Sequence, residues 1–249
     1  MLSTSVFKST RTFVFGGRLS SGVESLETIG KIVKMMKMIY DITPPISSAL
    51  EVWPGDTPPS REVLFDMKAG ANITLSALHA TVHLGAHADA PSHYGRDGIA
   101  IHECSLEPYL GLCQVIAVEV AKNSRVQVSD LKSPVRAKRV LIRTGTFPDA
   151  TAFNQDFAAL APELVESLHN QGVRLVGIDT PSVDLFDSTD LPSHKMFLKN
   201  EMAILEGLDL SAVPEGLYEL IALPLKLVGF DASPVRAVLT RLAEESERS

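Results

Sequence analysis

Apolar residues along the chain fall mostly into short runs that are broken by Pro, Gly, Ser and Asp. Ile39–Ile42 is stopped by Thr43-Pro44-Pro45, and Trp53-Pro54-Gly55-Asp56 marks a turn. Asn72–Leu78 alternates as a strand does. Leu112–Val120, Arg139–Arg143 and Leu175–Ile178 are short runs rich in Val, Leu and Ile, which suits buried strands. Further strands are expected at Ala203–Leu205, Tyr218–Ala222 and Val235–Leu239. A helical period is clearest over Ala161–Asn170. There Leu164, Val165 and Leu168 share a face, Pro162 sits in the first turn, Glu163 lies near the amino end and Gly172 follows. A second helix is expected around Pro192–Asn200. Strands outnumber helices, and the helices fall between strands without regular alternation. The pattern predicts a mixed α/β domain with a curved or barrel-like sheet, not a doubly wound fold.

Composition narrows the picture. The chain has 249 residues, 45% of them hydrophobic, enough for a sizeable core. No internal repeat or linker interrupts the sequence from Ile39 onward, so residues 38–249 are expected to form one domain. Residues 1–37 read differently: Lys8, Arg11, Arg18, Lys31, Lys34 and Lys37 are opposed only by Glu24 and Glu27, among many Ser and Thr. Such a segment is either a transit peptide or sequence ahead of the true start, for which Met35, Met36 and Met38 are candidates. The expected location is cytoplasmic, or mitochondrial if the extension is a real transit peptide. Net charge is −7 with no basic run, which argues against nucleic acid and anionic lipid as partners. No apolar run is long enough to span a membrane. Cys104 and Cys113, in no CxxC pair, read as two reduced thiols.

Histidines change the reading most. Of seven, His79, His83, His87 and His93 fall in one short window, with Asp89 among them. A shared cation explains the crowding, because imidazole and carboxylate bind Zn²⁺ at about 2 Å. On a flat strand His83 and His87 would stand about 13 Å apart, so the backbone must curl between them, as in one turn of helix. Gly85 permits that bend and Pro91 limits it. Asp89 then reaches the same ion, with a second oxygen left for another. His93 suits proton transfer near neutral pH, or else props the loop as a hydrogen-bonded residue. His194 and Glu206 lie far along the chain. Glu206 ends an apolar run, so its carboxylate needs a metal or a cationic partner. Trp53 is either a core-edge aromatic or a wall for a flat substrate.

VWPGD at Val52–Asp56, HLGAHADAPSHY at His83–Tyr94, RLVGIDTPSVD at Arg174–Asp184, MAILEGL at Met202–Leu208, YELIALPL at Tyr218–Leu225 and DASPVRAVL at Asp231–Leu239 together resemble the cyclase family of metal-dependent hydrolases. Within it, VWPGD and the AHADAP variant resemble the bacterial kynurenine formamidases. The likeness spans Ile39 to Leu239. It implies a swivelling β/β/α fold, a homodimer, and two divalent ions, zinc or else Mn²⁺ or a similar ion. It implies that His83, His87 and Asp89 hold one ion, that His194 joins the second, and that Asp89 and Glu206 bridge both. It implies general acid/base work for His93 and substrate contact for Trp53. Ala86 departs from the Thr common in the broader family, at a position that is not a ligand.

The implied reaction is hydrolysis of N-formyl-L-kynurenine, a small aryl formamide, to L-kynurenine and formate. The nearest alternative is another hydrolase on this scaffold, such as one that opens the lactam of isatin. A more distant one is a non-catalytic protein that binds metal or a small ligand.

Overall fold

Val140, Leu141 and Ile142 are all fully buried, as are Leu175, Val176 and Ile178. Strands apolar on both faces need cover on both faces, which is what parallel neighbours in a mixed sheet receive. The computed structural model describes residues 38–242. The extension expected over residues 1–37 lies outside the described residues.

Thirteen strands are described: β1 (Ile39–Asp41), β2 (Ser60–Phe65), β3 (Leu75–His79), β4 (His87–Asp89), β5 (Leu110–Ala117), β6 (Arg125–Val126), β7 (Arg139–Arg143), β8 (Ala159–Leu160), β9 (Leu175–Ile178), β10 (Ala203–Glu206), β11 (Gly216–Ile221), β12 (Ala232–Pro234) and β13 (Val238–Arg241). The described α-helices are α1 (Pro91–Tyr94), α2 (Pro162–Asn170) and α3 (Pro192–Lys199). Nine strands form one curled sheet in the order β1-β13-β11-β5-β7-β9-β10-β4-β12. The middle, β5-β7-β9-β10, is parallel, and both flanks are antiparallel. The mixed α/β class and curled central sheet expected from the sequence are present.

Each face of the central strands has its own core. Val140, Ile142, Val176, Ile178 and Ile204 pack with Leu164, Val165 and Leu168 of α2 and Phe197 of α3. Leu141, Leu175 and Leu205 pack with Ile42, just after β1, and with Leu220 and Leu239 from the flanking strands, so the sheet curls over its own second core. Gly177 lies between these strands because a Cβ there would come within 2.5 Å of Leu141 and 2.8 Å of Leu208.

Two local expectations differ from the structure, and one strand is additional to them. Of the expected Val235–Leu239 strand only Val238 and Leu239 are extended, in β13; residues 235–237 link β12 to β13, which pair with different partners at opposite ends of the sheet. The Asn72–Leu78 strand starts later, at Leu75. Its partner β2 was not expected from the sequence, because all six of its residues are exposed and show no burial alternation. β2 and β3 form a separate two-stranded ribbon.

Candidate metal centre

His83 and His87 are brought together by a bend, not by the turn of helix that their spacing suggested. Gly85 takes the left-handed φ of +55° at the bend, and His87 then opens β4. The two rings meet edge to face with centroids 5.0 Å apart. β4 carries Asp89 two residues on and lies antiparallel to β10, so Glu206 faces His87 across the pair. α3 supplies His194 from its first turn. The structure therefore brings together all five side chains considered as ligands.

Their contacts centre on Asp89. Asp89 Oδ1 is 3.2 Å from His83 Nδ1 and 3.4 Å from His87 Nε2, and Asp89 Oδ2 is 3.5 Å from His194 Nε2. Glu206 divides in the same way, with Oε2 3.4 Å from His87 Nε2 and Oε1 3.5 Å from His194 Nε2. Each carboxylate thus turns one oxygen to the His87 side and the other to the His194 side.

Every imidazole is oriented by an oxygen on its far nitrogen. His87 Nδ1 is 2.8 Å from the Gly85 carbonyl, His194 Nδ1 is 2.9 Å from Asp184 Oδ2, and His83 Nε2 is 3.1 Å from Asp231 Oδ2. A ring that donates from one nitrogen presents a lone pair at the other, here the nitrogen aimed at Asp89. Asp184 is fixed in turn by Arg125 at 2.7 Å and by the backbone N–H groups of Ser193 and His194. Glu206 Oε1 accepts a 2.7 Å hydrogen bond from the Val183 N–H.

The electrostatics follow from this packing. Burial opposes the charged form of Asp89, yet His194, His83 and His87 outweigh it and hold its carboxyl well below the usual range. Burial likewise disfavours the His87 imidazolium, but Asp89 and Glu206 raise its pKa to about 10. His194 is raised well above its ordinary value, with Asp184, Asp89 and Glu206 overcoming its burial. Asp184 is buried too, and His194 and Arg125 nonetheless pull it down to about 2.

His87 Nε2, both Asp89 oxygens and His194 Nε2 are buried and have no hydrogen-bond partner among the described residues. Buried polar atoms are costly when unsatisfied. Two donors about 2 Å from one tetrahedral cation lie about 3.3 Å apart, which is the spacing these atoms have. The donor set therefore fits divalent cations, with nitrogen and oxygen ligands and no sulfur.

A model of the family described as "Putative cyclase" matches residues 40–185. The chain belongs to this family. The matched span holds the His83–His93 segment and Asp184, while His194 and Glu206 lie beyond it. Among solved structures, a potential metal-dependent hydrolase with cyclase activity is 29% identical, with a TM-score of 0.71 over 82% of this chain and 98% of that one. A predicted metal-dependent hydrolase from Bacillus stearothermophilus is 30% identical, with a TM-score of 0.69 over the same 82% and 98%. Isatin hydrolase A from Labrenzia aggregata shares the fold at 21% identity, with a TM-score of 0.70 over 86% of this chain and 98% of that one.

The centre of this cyclase-family chain opens into a cavity of about 740 Å³ whose wall includes His83, His87, His93, His194, Glu206 and Trp53. His93 sits on α1 with its ring centroid 4.1 Å from that of His83, and its side chain is 34% exposed. Its Nδ1 lies 3.5 Å from Asp231 Oδ2, so one carboxylate oxygen touches both His83 and His93. Trp53 is a core-edge aromatic that also reaches the cavity. It borders the cavity while stacking on Phe186 at 4.8 Å and meeting Phe153 and Phe157 edge on. His79, fourth of the clustered histidines, points elsewhere and pairs with Glu62 on the exposed ribbon at 3.1 Å. Asp184 and Asp231 were not singled out from the sequence. Their only signal was membership in RLVGIDTPSVD and DASPVRAVL. Among the described residues, no helix is long and apolar enough to cross a membrane.

Proposed function

We propose that the chain is a metal-dependent amide hydrolase acting on N-formyl-L-kynurenine, with two zinc ions held by His83, His87, His194, Asp89 and Glu206. The observation that carries this reading is the division of Asp89 and Glu206, each with one oxygen toward His87 and one toward His194. Bridging carboxylates of a two-cation centre have this form. Mn²⁺ would satisfy the same nitrogen and oxygen donors. The substrate choice is supported by the likeness of VWPGD and AHADAP to the formamidase branch.

When bound, a divalent cation supplies Lewis acidity, making water nucleophilic near neutral pH and drawing charge from a carbonyl oxygen. Hydrolysis joins the water oxygen to the formyl carbon and breaks the bond to the aryl nitrogen, releasing formate. An aryl amide nitrogen leaves poorly as an anion. With Nδ1 of His93 facing Asp231, its Nε2 is the atom that delivers the proton to that nitrogen. Asp231 fixes the orientation of His93 and His83 together. Trp53, braced by Phe186, offers a flat wall to the aryl ring.

The test is a formamidase assay and metal analysis on one purified sample. Exhaustive chelation is expected to abolish turnover, and added Zn²⁺ to restore it. Isatin in a parallel assay is expected to be a poor substrate. Full activity in a verified metal-free sample overturns the metal assignment, and preference for isatin overturns the substrate.

We also propose a homodimer, with the β2–β3 ribbon at its interface. A two-stranded ribbon is marginal on its own, yet Val63, Leu64, Phe65, Leu75 and Leu78 are all exposed on this one. The ribbon thus exposes apolar side chains on both of its faces, and exposed apolar surface of this extent supports an interaction site. Val63 and Leu78 share a face, being diagonal neighbours in the Val63–Ser76 and Arg61–Leu78 register. Val63→Glu with Leu78→Glu is expected to convert a dimer to a monomer in light scattering after gel filtration. A monomeric parent chain at micromolar concentration removes the proposal.

A further inference from the structure

The cavity wall is chemically lopsided. Glu51, Asp56, Asp149, Asp179 and Asp209 line it in addition to Glu206 and Asp231. Among the described lining residues, Arg143 is the one Lys or Arg. Away from the histidine cluster, an anionic group entering this cavity meets carboxylates and apolar side chains, with this guanidinium as the one permanent cation among the described lining residues.

Arg143 is also well placed. It is the last residue of β7. Ile142 is level with Ile178 of β9, and Gly177 of β9 is level with Leu205 of β10. Arg143 and Glu206 therefore stand at the carboxyl ends of parallel strands two apart, about 10 Å across the sheet at ~4.8 Å per strand. Crevices at such strand ends are where open parallel sheets bind ligands. One nitrogen of Arg143, Nη1, donates to the Val213 carbonyl at 2.7 Å, which steadies the guanidinium; among the described residues its other N–H groups make no further hydrogen bond. The next two residues are tied down as well, since Thr144 and Gly145 donate backbone hydrogen bonds to Asp179 at 2.8–3.0 Å.

We propose that Arg143 is a specificity residue that binds the α-carboxylate of an amino-acid substrate whose amide lies at the metal centre. The inference rests on the formamidase reading and deepens it: the enzyme selects an acylated aryl amine that carries an amino-acid tail over a plain aryl formamide. N-formyl-L-kynurenine has such a tail, and formanilide has none.

The experiment compares the parent protein, Arg143→Gln and Arg143→Lys, all zinc-loaded. Gln keeps an N–H donor for the Val213 carbonyl, and Lys keeps the charge without the fork. Turnover is measured on N-formyl-L-kynurenine and formanilide. Binding is measured by calorimetry for L-kynurenine and for kynuramine, its decarboxylated analogue. Arg143→Gln is expected to weaken L-kynurenine binding and raise KM for N-formyl-L-kynurenine by about 10- to 100-fold, the usual worth of a charge-assisted hydrogen bond. Kynuramine binding and formanilide turnover are expected to change less than about 2-fold, within the ordinary effect of a surface substitution. Arg143→Lys is expected to fall between. Equal losses for tailed and tailless ligands, or no loss for either, overturn the proposal. A parent protein that hydrolyses N-formyl-L-kynurenine without preferring L-kynurenine to kynuramine also overturns it, and leaves the formamidase reading intact. A parent protein that prefers L-kynurenine through Arg143 but hydrolyses no N-formyl-L-kynurenine supports the anchor and overturns the formamidase reading.

Discussion

Asp89→Asn is expected to strip the protein of bound metal and to lower formamidase turnover by more than about 100-fold, beyond the 10- to 100-fold typical of residues that merely orient ligands. Asn has the shape of Asp, so the core around it is undisturbed. What changes is charge and polarity at one point. Asp89 is fully buried and faces His83, His87 and His194 at once, and an amide places an N–H pair where one oxygen stood. The pH dependence of metal uptake should change as well. In the parent chain, protons and cations compete for the same atoms, because the carboxylates raise the pKa values of His87 and His194. Metal affinity therefore falls as pH falls and those rings take up protons. Asp89→Asn removes one source of that elevation, so whatever affinity remains should vary less with pH. The measurements are metal content by mass spectrometry after dialysis, and calorimetric titration with Zn²⁺ across a pH series. A variant with full metal content and normal turnover removes Asp89 from the centre.

The second large effect is expected at His93. His93→Ala should keep its metal and lose about 10²- to 10⁴-fold in kcat, the usual range for a positioned general acid. The loss should depend on the leaving group. Formyl anilides with electron-withdrawing rings release nitrogen with less need of a proton, so their defect should be smaller than that of N-formyl-L-kynurenine. A histidine that only props the loop would give the same loss on every substrate. Its contact with Asp231 makes a sharper comparison possible, since Asp231 touches His83 too. Unaltered turnover in His93→Ala, or a loss of metal that accounts for the whole defect, rules out the acid role.

These two positions were legible in the sequence for a simple reason. Side chains that a single bend gathers around one point must be close in number, so His83, His87, Asp89 and His93 crowd together. His194 and Glu206 were weaker signals that gained weight only through the resemblance. Asp184 and Asp231 gave no separate sign, because an acid that orients an imidazole from a Pro- and Ser-rich loop has no fixed spacing from it. Asp231 lies 148 positions from His83 and reaches it only because β12 returns beside β4. The fold was readable where burial imposes a pattern. α2 keeps its apolar face and the buried strands keep their Val and Ile, so their bounds were close to right. β2 escaped notice because no residue in it is buried. The order of the nine strands was beyond reach, since β12 and β13 adjoin in sequence and end at opposite sides of the sheet.

Gly207 follows Glu206 with a φ of +65°, and a Cβ on it would stand 2.2 Å from the carbonyl oxygen of Gly85, the same oxygen that faces His87 Nδ1. The two glycines interlock main chain against main chain across a long stretch of sequence. A zinc finger closes around its ion from neighbouring residues, early and locally. Here the cluster is complete only once distant segments have docked, so metal binding is expected to follow closure of the sheet, not to precede it. Ion supplied to the unfolded chain should speed recovery little, whereas ion supplied after the sheet has closed should lock it.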